Sequence, residues 1–188
     1  WDKQGWEEHW LTAYATDFLF RASQQGYSVP ASALTAANNR LLRYLQDPSQ
    51  IEMRYSSNDL HSRFAVQAYA GLVLASQQKA PLGALRQLAN RSKDARTGLP
   101  LVQLGIALKM MGDMPRAEVL LTQGMTTTRA KTDYWLGDYG SEIRDDALIL
   151  SLLTENNLLP QQRDSRLLSL SEQLTGKRYL STQESNAV

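Results

Sequence analysis

The sequence predicts an all-α protein, and three observations carry that expectation. Two kinds of apolar segment alternate along the chain, one apolar on nearly every side and one apolar along a single stripe. The first kind belongs to a helix with neighbours all round, the second to a helix with one face in water. The all-round segments begin near residues 6, 58, 98, 140 and 182, a spacing of roughly 40 to 50 residues that is typical of stacked helix pairs. No stretch alternates cleanly between apolar and polar or gathers Val, Ile and Thr between turns, so strand signals are missing.

The first inner helix is expected from Trp6 to Gln25. Trp6, Trp10, Tyr14, Phe18 and Ala22 recur every fourth residue, with Leu11, Ala15 and Leu19 beside them. Ala13 and Phe20 fall on the other side, which leaves a narrow polar stripe of His9, Thr12, Thr16 and Ser23. Gly26 supplies a left-handed C-cap, and Pro30 suits the first turn of the next helix. That outer helix, from Pro30 to Gln46, keeps Leu34, Leu41, Leu42 and Leu45 on one stripe and gives Asn38, Asn39, Arg40 and Arg43 to solvent. Asn58 to Gln77 is the second inner helix, and Leu82 to Asn90 a short outer one through Leu85, Leu88 and Ala89. Gly98 to Met111 is inner and almost unbroken in apolar residues. Gly112-Asp113-Met114-Pro115 stops it and starts an outer helix that runs to about Met125, with Arg116, Glu118, Thr122 and Gln123 outward. Ser141 to Glu155 is inner, Pro160 to Leu174 outer. Ser181 with Glu184 three residues later forms a capping box, the start of a fifth inner helix of which about one turn is present.

Composition narrows the function classes. With 188 residues, 43% hydrophobic and 21% charged, the chain can bury a large core as one domain, residues 1–188. A net charge of +1 with its twenty Lys and Arg scattered argues against a broad nucleic-acid or anionic-membrane surface. The absence of cysteine removes disulfides, thiolate zinc sites and thiol nucleophiles. The longest apolar run, Ala68 to Ala75, is far shorter than the ~20 residues of a membrane helix. The opening residues carry Asp2, Lys3, Glu7 and Glu8 and have no signal-peptide layout. Both ends read as cut: the chain opens on Trp1, and it closes one turn into a helix.

Periodicity alone leaves a solenoid and an α/α toroid open. Trp10-Leu11-Thr12-Ala13-Tyr14, Asp138-Tyr139-Gly140-Ser141 and Tyr179-Leu180-Ser181-Thr182-Gln183-Glu184 resemble the thioester-containing domain of alpha-2-macroglobulins, and Phe18 to Pro30 looks like their bacterial branch. The resemblance covers essentially the whole chain. It implies a partial α/α toroid, open at both truncated ends, within a broad-spectrum protease inhibitor that traps proteases after cleavage of a bait region. It also implies a thioester upstream of Trp1, a periplasmic and lipid-anchored parent encoded beside a penicillin-binding protein, and as partners the trapped proteases and the parent's other domains. An open ring would bare apolar surface near Trp6, Trp10 and Tyr14, so the fragment is expected to self-associate there.

No catalytic, cofactor-binding or metal-binding residue is expected within the chain. His9 with Glu8, and His61 with Asp59, are the only histidine candidates for a metal, against the plainer reading of hydrogen-bonded histidines. The catalytic histidine of the complement branch has no counterpart in the loop Asp47 to Asn58. Glu142, Asp145 and Asp146 read as carboxylates at a helix start offset by Arg144; a general acid/base pair, as in α/α-barrel glycosidases, is the sharper alternative. Lys131 to Gly140 either lines a groove at the rim or packs Tyr134, Trp135 and Tyr139 onto helix ends. Met110, Met111, Met114 and Met125 read as packing residues. A toroidal enzyme and a peptide-binding helical scaffold remain as alternative functions.

Overall fold

The computed structural model describes residues 7–52, 59–129, 136 and 138–188, and among them there are helices and no strand. The inner helices are α1 (His9–Gln24), α3 (Asp59–Ser76), α5 (Gly98–Met110), α7 (Glu142–Glu155) and α9 (Thr182–Ala187). The outer helices are α2 (Ala31–Gln46), α4 (Leu82–Ala89), α6 (Met114–Thr126) and α8 (Pro160–Thr175). Helix α1 starts at His9, three residues after the expected Trp6, which itself lies outside the described residues; every other boundary falls within two residues of its expected place.

The boundaries follow from local chemistry. Gly26 and Gly112 take φ +84 and +87 directly after α1 and α5, a conformation that costs any residue with a Cβ. Asp113 accepts from the Arg116 N–H at 3.4 Å with Pro115 in the first turn of α6, and Ser141 accepts from the Arg144 N–H at 3.2 Å at the start of α7. Both halves of the capping box are made at α9: Ser181 Oγ accepts from the Glu184 N–H at 3.3 Å, and Glu184 Oε2 accepts from the Ser181 N–H at 2.8 Å.

The inner helices run in one direction, because their N-terminal ends meet. His61 of α3 reaches the Arg96 backbone just before α5 and Asp138 just before α7, while Ser141 at the head of α7 donates to Glu184 at the head of α9 (2.7 Å). Tyr139 donates to Glu8 at the head of α1 (3.0 Å), and at the opposite end Arg21 of α1 meets Glu155 of α7. Outer helices run back against them. Contacts of α2 and the turn after it with α3 run antiparallel, from Asn38 with Gln77 through Leu45 with Gln67 to Ile51 with Arg63, and the start of α5 lies on the end of α6. Helix α1 packs on α3, α3 on α5, α5 on α7 and α7 on α9, with α2, α4, α6 and α8 behind. This is the inner-and-outer layering expected of an α/α toroid arc.

The core centres on α3 and α5. Every residue from Gly98 to Leu108 is buried, as are most of α3 from His61 to Ala75. Helices α5 and α6 approach so closely at Gly98 and Gly124 that a Cβ on either would press on the other helix's backbone.

Two expectations about facing need correction. Helix α1 is not buried all round: only His9, Ala13 and Thr16 are, whereas Tyr14 is 47% and Phe18 64% exposed. The narrow polar stripe is the side that faces inward, at His9 and Thr16, and its hydroxyls are satisfied by their own helix. Thr16 donates to the Thr12 carbonyl at 2.7 Å and Ser23 to the Phe20 carbonyl at 2.7 Å. Likewise Asn38, assigned to the wet side of α2, is buried in a reciprocal amide pair with Gln77, at 2.8 and 2.9 Å.

Candidate functional site

Two places gather polar or reactive side chains, and both depend on the parallel inner helices. The first is a buried cluster where the N-termini of α3, α5 and α7 converge. The Arg96 N–H donates to His61 Nδ1 at 3.1 Å, which leaves Nε2 to carry the proton and donate to Asp138 Oδ2 at 3.0 Å. Arg129 grips Asp138 through both terminal nitrogens, at 3.2 and 2.7 Å, and Asp145 through Nε and Nη2, at 3.0 and 2.7 Å. Arg144 donates to the Asp138 carbonyl at 3.0 Å and lies with its guanidinium 5.1 Å from the centre of the Trp10 ring.

Burial acts on the two carboxyls differently because their partners differ. At Asp138 it opposes ionisation, but the hydrogen bonds from His61 and Arg129 outweigh it and hold the group well below the usual carboxylate range. At Asp145 burial prevails over Arg129 and Arg144 and pushes the carboxyl up to about 6. His61, Asp138, Arg144 and Asp145 are each at most 8% exposed. The hydrogen bonds of the cluster tie three helix heads together, and Arg129 and Asp145 also border a second cavity, of about 690 Å³, beside α6 and α8.

The second place is a cleft of about 940 Å³ enclosed by α1, α3, α5, α7 and α9. Trp10, Tyr14 and Phe18 form one wall and Leu148 and Leu152 another. Trp10 and Tyr14 stack with ring centres 5.4 Å apart. The bidentate pair of Arg21 with Glu155, at 3.2 and 3.1 Å, spans one mouth.

No family model matches the chain. Alpha-2-macroglobulin of Escherichia coli (strain K12) is 58% identical over 189 aligned positions, covering 100% of this chain and 11% of that protein. The native conformation of E. coli alpha-2-macroglobulin superposes with a TM-score of 0.97, over 100% of this chain and 12% of that one. The chain matches one segment of bacterial alpha-2-macroglobulin. It spans about a tenth of the length of the relatives it matches. The trypsin-activated E. coli alpha-2-macroglobulin superposes at TM-score 0.94, 58% identical and over 13% of its length, so the fold of this segment is the same in the native and the activated protein.

Within this chain the residues singled out from sequence occupy structural positions. His9 is buried, accepts from the Glu52 N–H at 3.0 Å and sits edge-on to Tyr44, whose ring centre is 5.0 Å away. Glu8 receives the Tyr139 hydroxyl, while His61 lies apart with Asp138, so the two histidines do not converge. Among the described residues no group of three or more His, Asp or Glu could hold a metal ion. Asp145 and Asp146 do not face each other as an acid/base pair: Asp145 is bound to Arg129, and Asp146 pairs with Arg166 and accepts from Gln173 at 3.0 Å. Of the tract Lys131 to Gly140, Tyr134 and Trp135 lie outside the described residues. Leu136 and Tyr139 pack onto the helix heads, Leu136 accepting from Ser62 at 2.7 Å and Tyr139 lying 5.8 Å from Trp10. Met110, Met111 and Met125 pack against core clusters, and Met114 is 44% exposed.

The sequence did not single out Arg129, and it marked Asp138 only as part of the Asp138-Tyr139-Gly140-Ser141 motif. The available signal was Asp138 immediately before the Gly140-Ser141 helix start, where a carboxylate meets the positive end of a helix. Nothing local announced its pairing with His61, 77 residues away.

Proposed function

We propose that this chain is a rigid frame segment of an alpha-2-macroglobulin-type inhibitor, one that traps proteases after cleavage of a bait region, and that it supplies no reacting group itself. The observation that carries the reading is the whole-length likeness to E. coli alpha-2-macroglobulin in both its native and its trypsin-activated form. The segment fits the family's thioester-containing domain, with the thioester supplied by polypeptide outside these residues, since the chain has no cysteine. Its partners are then the trapped protease and the parent's other domains. The half-exposed face of α1 at Tyr14 and Phe18 is a surface for those domains, or for a second copy when the chain is isolated. A periplasmic, lipid-anchored parent working beside a penicillin-binding protein completes the proposal. No catalysis and no cofactor are assigned.

The test is a chimera in which these 188 residues replace their counterpart in E. coli alpha-2-macroglobulin. After trypsin treatment, a denaturing gel should show a covalent protease adduct at the level of the unaltered protein. A folded chimera that is cleaved by trypsin yet forms no adduct would contradict the proposal.

A further inference from the structure

His9 is a buried titratable side chain that the helix-head cluster does not use. It opens α1 and is 5% exposed. Just past the short 3₁₀ turn Pro48–Gln50 that follows α2, the Glu52 N–H donates to His9 Nε2 at 3.0 Å. An imidazole nitrogen that accepts a hydrogen bond carries no proton, so the single proton of the neutral ring sits on Nδ1. Nδ1 is buried and has no hydrogen-bond partner among the described residues. The ring is therefore anchored through one hydrogen bond, and that bond exists only while Nε2 is bare. A second proton would set the imidazole N–H against the N–H of Glu52, donor against donor.

The groups packed around His9 set the direction of its response. On α1 itself, Glu7 accepts from Arg40 and from the Tyr44 hydroxyl, and Glu8 accepts from the Tyr139 hydroxyl at 3.0 Å. From α2, Tyr44 stands at right angles to the imidazole with ring centres 5.0 Å apart, Arg40 lies over the Tyr44 ring, and Arg43 acts on Glu7. The chain after α2 brings Glu52, and α3 brings Arg63, which donates to the Ile51 carbonyl at 3.0 Å. Burial is the largest influence on His9 and holds it below the ordinary histidine value, against the negative charges of Glu8 and Glu52. A depressed histidine stabilises the fold above that ordinary value, and the contribution is lost as pH falls below it. Glu8 and Glu52 are the carboxylates toward which an imidazolium turns once its bond to the Glu52 backbone is given up.

We propose that His9 is an acid-sensitive latch: neutral, it ties the head of α1 to the chain leading out of α2, and protonated, it lets the Glu52 backbone go. The latch does not rest on protease trapping and stands or falls apart from it. The test is ¹⁵N NMR of the 188-residue chain from about pH 8 to about pH 4.5. At the upper end the imidazole nitrogens should report the proton on Nδ1. On acidification His9 should gain its second proton, and the Glu52 amide should shift with the same midpoint. Its exchange with solvent, corrected for the intrinsic rate, should become about tenfold faster or more. His9→Gln keeps a side-chain carbonyl that can accept from the Glu52 N–H and does not titrate, so the pH response of that amide should disappear. The proposal is overturned if the neutral ring carries its proton on Nε2, if His9 stays neutral throughout, or if the Glu52 amide does not follow the His9 midpoint. It is equally overturned if the response survives in His9→Gln, which would assign it to another group such as Asp145. The tautomer and the paired midpoints are read on the unaltered chain, so they decide the matter even if the variant fails to fold.

Discussion

Gly98→Ala is the sharpest test of the packing that holds α5 against α6. A Cβ at Gly98 would lie 2.8 Å from the Thr127 carbonyl oxygen and closer still to that of Gly124. Favourable contacts between heavy atoms sit near 3.5–4.0 Å, so the start of α5 and the end of α6 must part by roughly 1 Å. Both obstacles are backbone, and no side chain can swing aside to relieve them. Overpacking of this kind costs about 1–3 kcal/mol. The helix-propensity gain of alanine over glycine, at most ~1 kcal/mol, is partly unavailable at the first helical position. A net loss of about 2 kcal/mol is expected, which lowers the urea midpoint by ~1 M at a slope of ~2 kcal/mol per M. Gly83→Ala in α4 is the control, because a Cβ there meets nothing within 4 Å. It should gain ~0.5–1 kcal/mol. A Gly98→Ala midpoint equal to or above that of the parent, in a variant whose circular dichroism is unchanged, would refute the close α5–α6 contact.

The remaining predictions concern the helix heads and the chemistry of the isolated chain. Arg129→Met leaves Asp138 and Asp145 buried without their shared guanidinium and should cost ~3–5 kcal/mol in urea unfolding; a loss under ~1 kcal/mol would show the cluster to be solvated. Asp145 is raised in the folded state to about 6, so its protonated form stabilises the fold below pH ~4 and that contribution is lost as pH rises toward 6. The stability advantage of the parent over Asp145→Asn should therefore shrink across this window by ~2–3 kcal/mol, and an advantage that grows with pH would reverse the assignment. Ser141→Ala removes both the α7 cap and the acceptor-donor link to Glu184, at ~1 kcal/mol, with faster amide exchange at α9; unchanged exchange there would argue against the link. The isolated chain should form no adduct with methylamine or trypsin by intact mass, and any covalent adduct would contradict the absence of reacting groups.

The helix boundaries were legible because punctuation is local: Gly26, Gly112, Pro115, Pro160 and the Ser181 box each act within one turn of their own position. The centrality of α5 was legible for a different reason, since an unbroken apolar segment has no side to offer water. What failed was the facing of α1 and of Asn38. In both cases a polar group was buried because a partner was at hand, a carbonyl one turn back for Thr16 and Gln77 from the next helix for Asn38. Periodicity counts polarity and is blind to partners. The His61, Asp138, Arg129 and Asp145 cluster was hidden for the same reason, its members coming together only when three helix heads converge.

Hydrogen exchange on the chimeric inhibitor, before and after trypsin, tests most directly that this segment acts as a rigid frame. The amides of α3 and α5, which lie at the centre of the core, should keep the same slow exchange in both forms within about twofold. A loss of protection in α3 or α5 upon activation would contradict the account, because the segment would then be rearranging rather than carrying the parts that do.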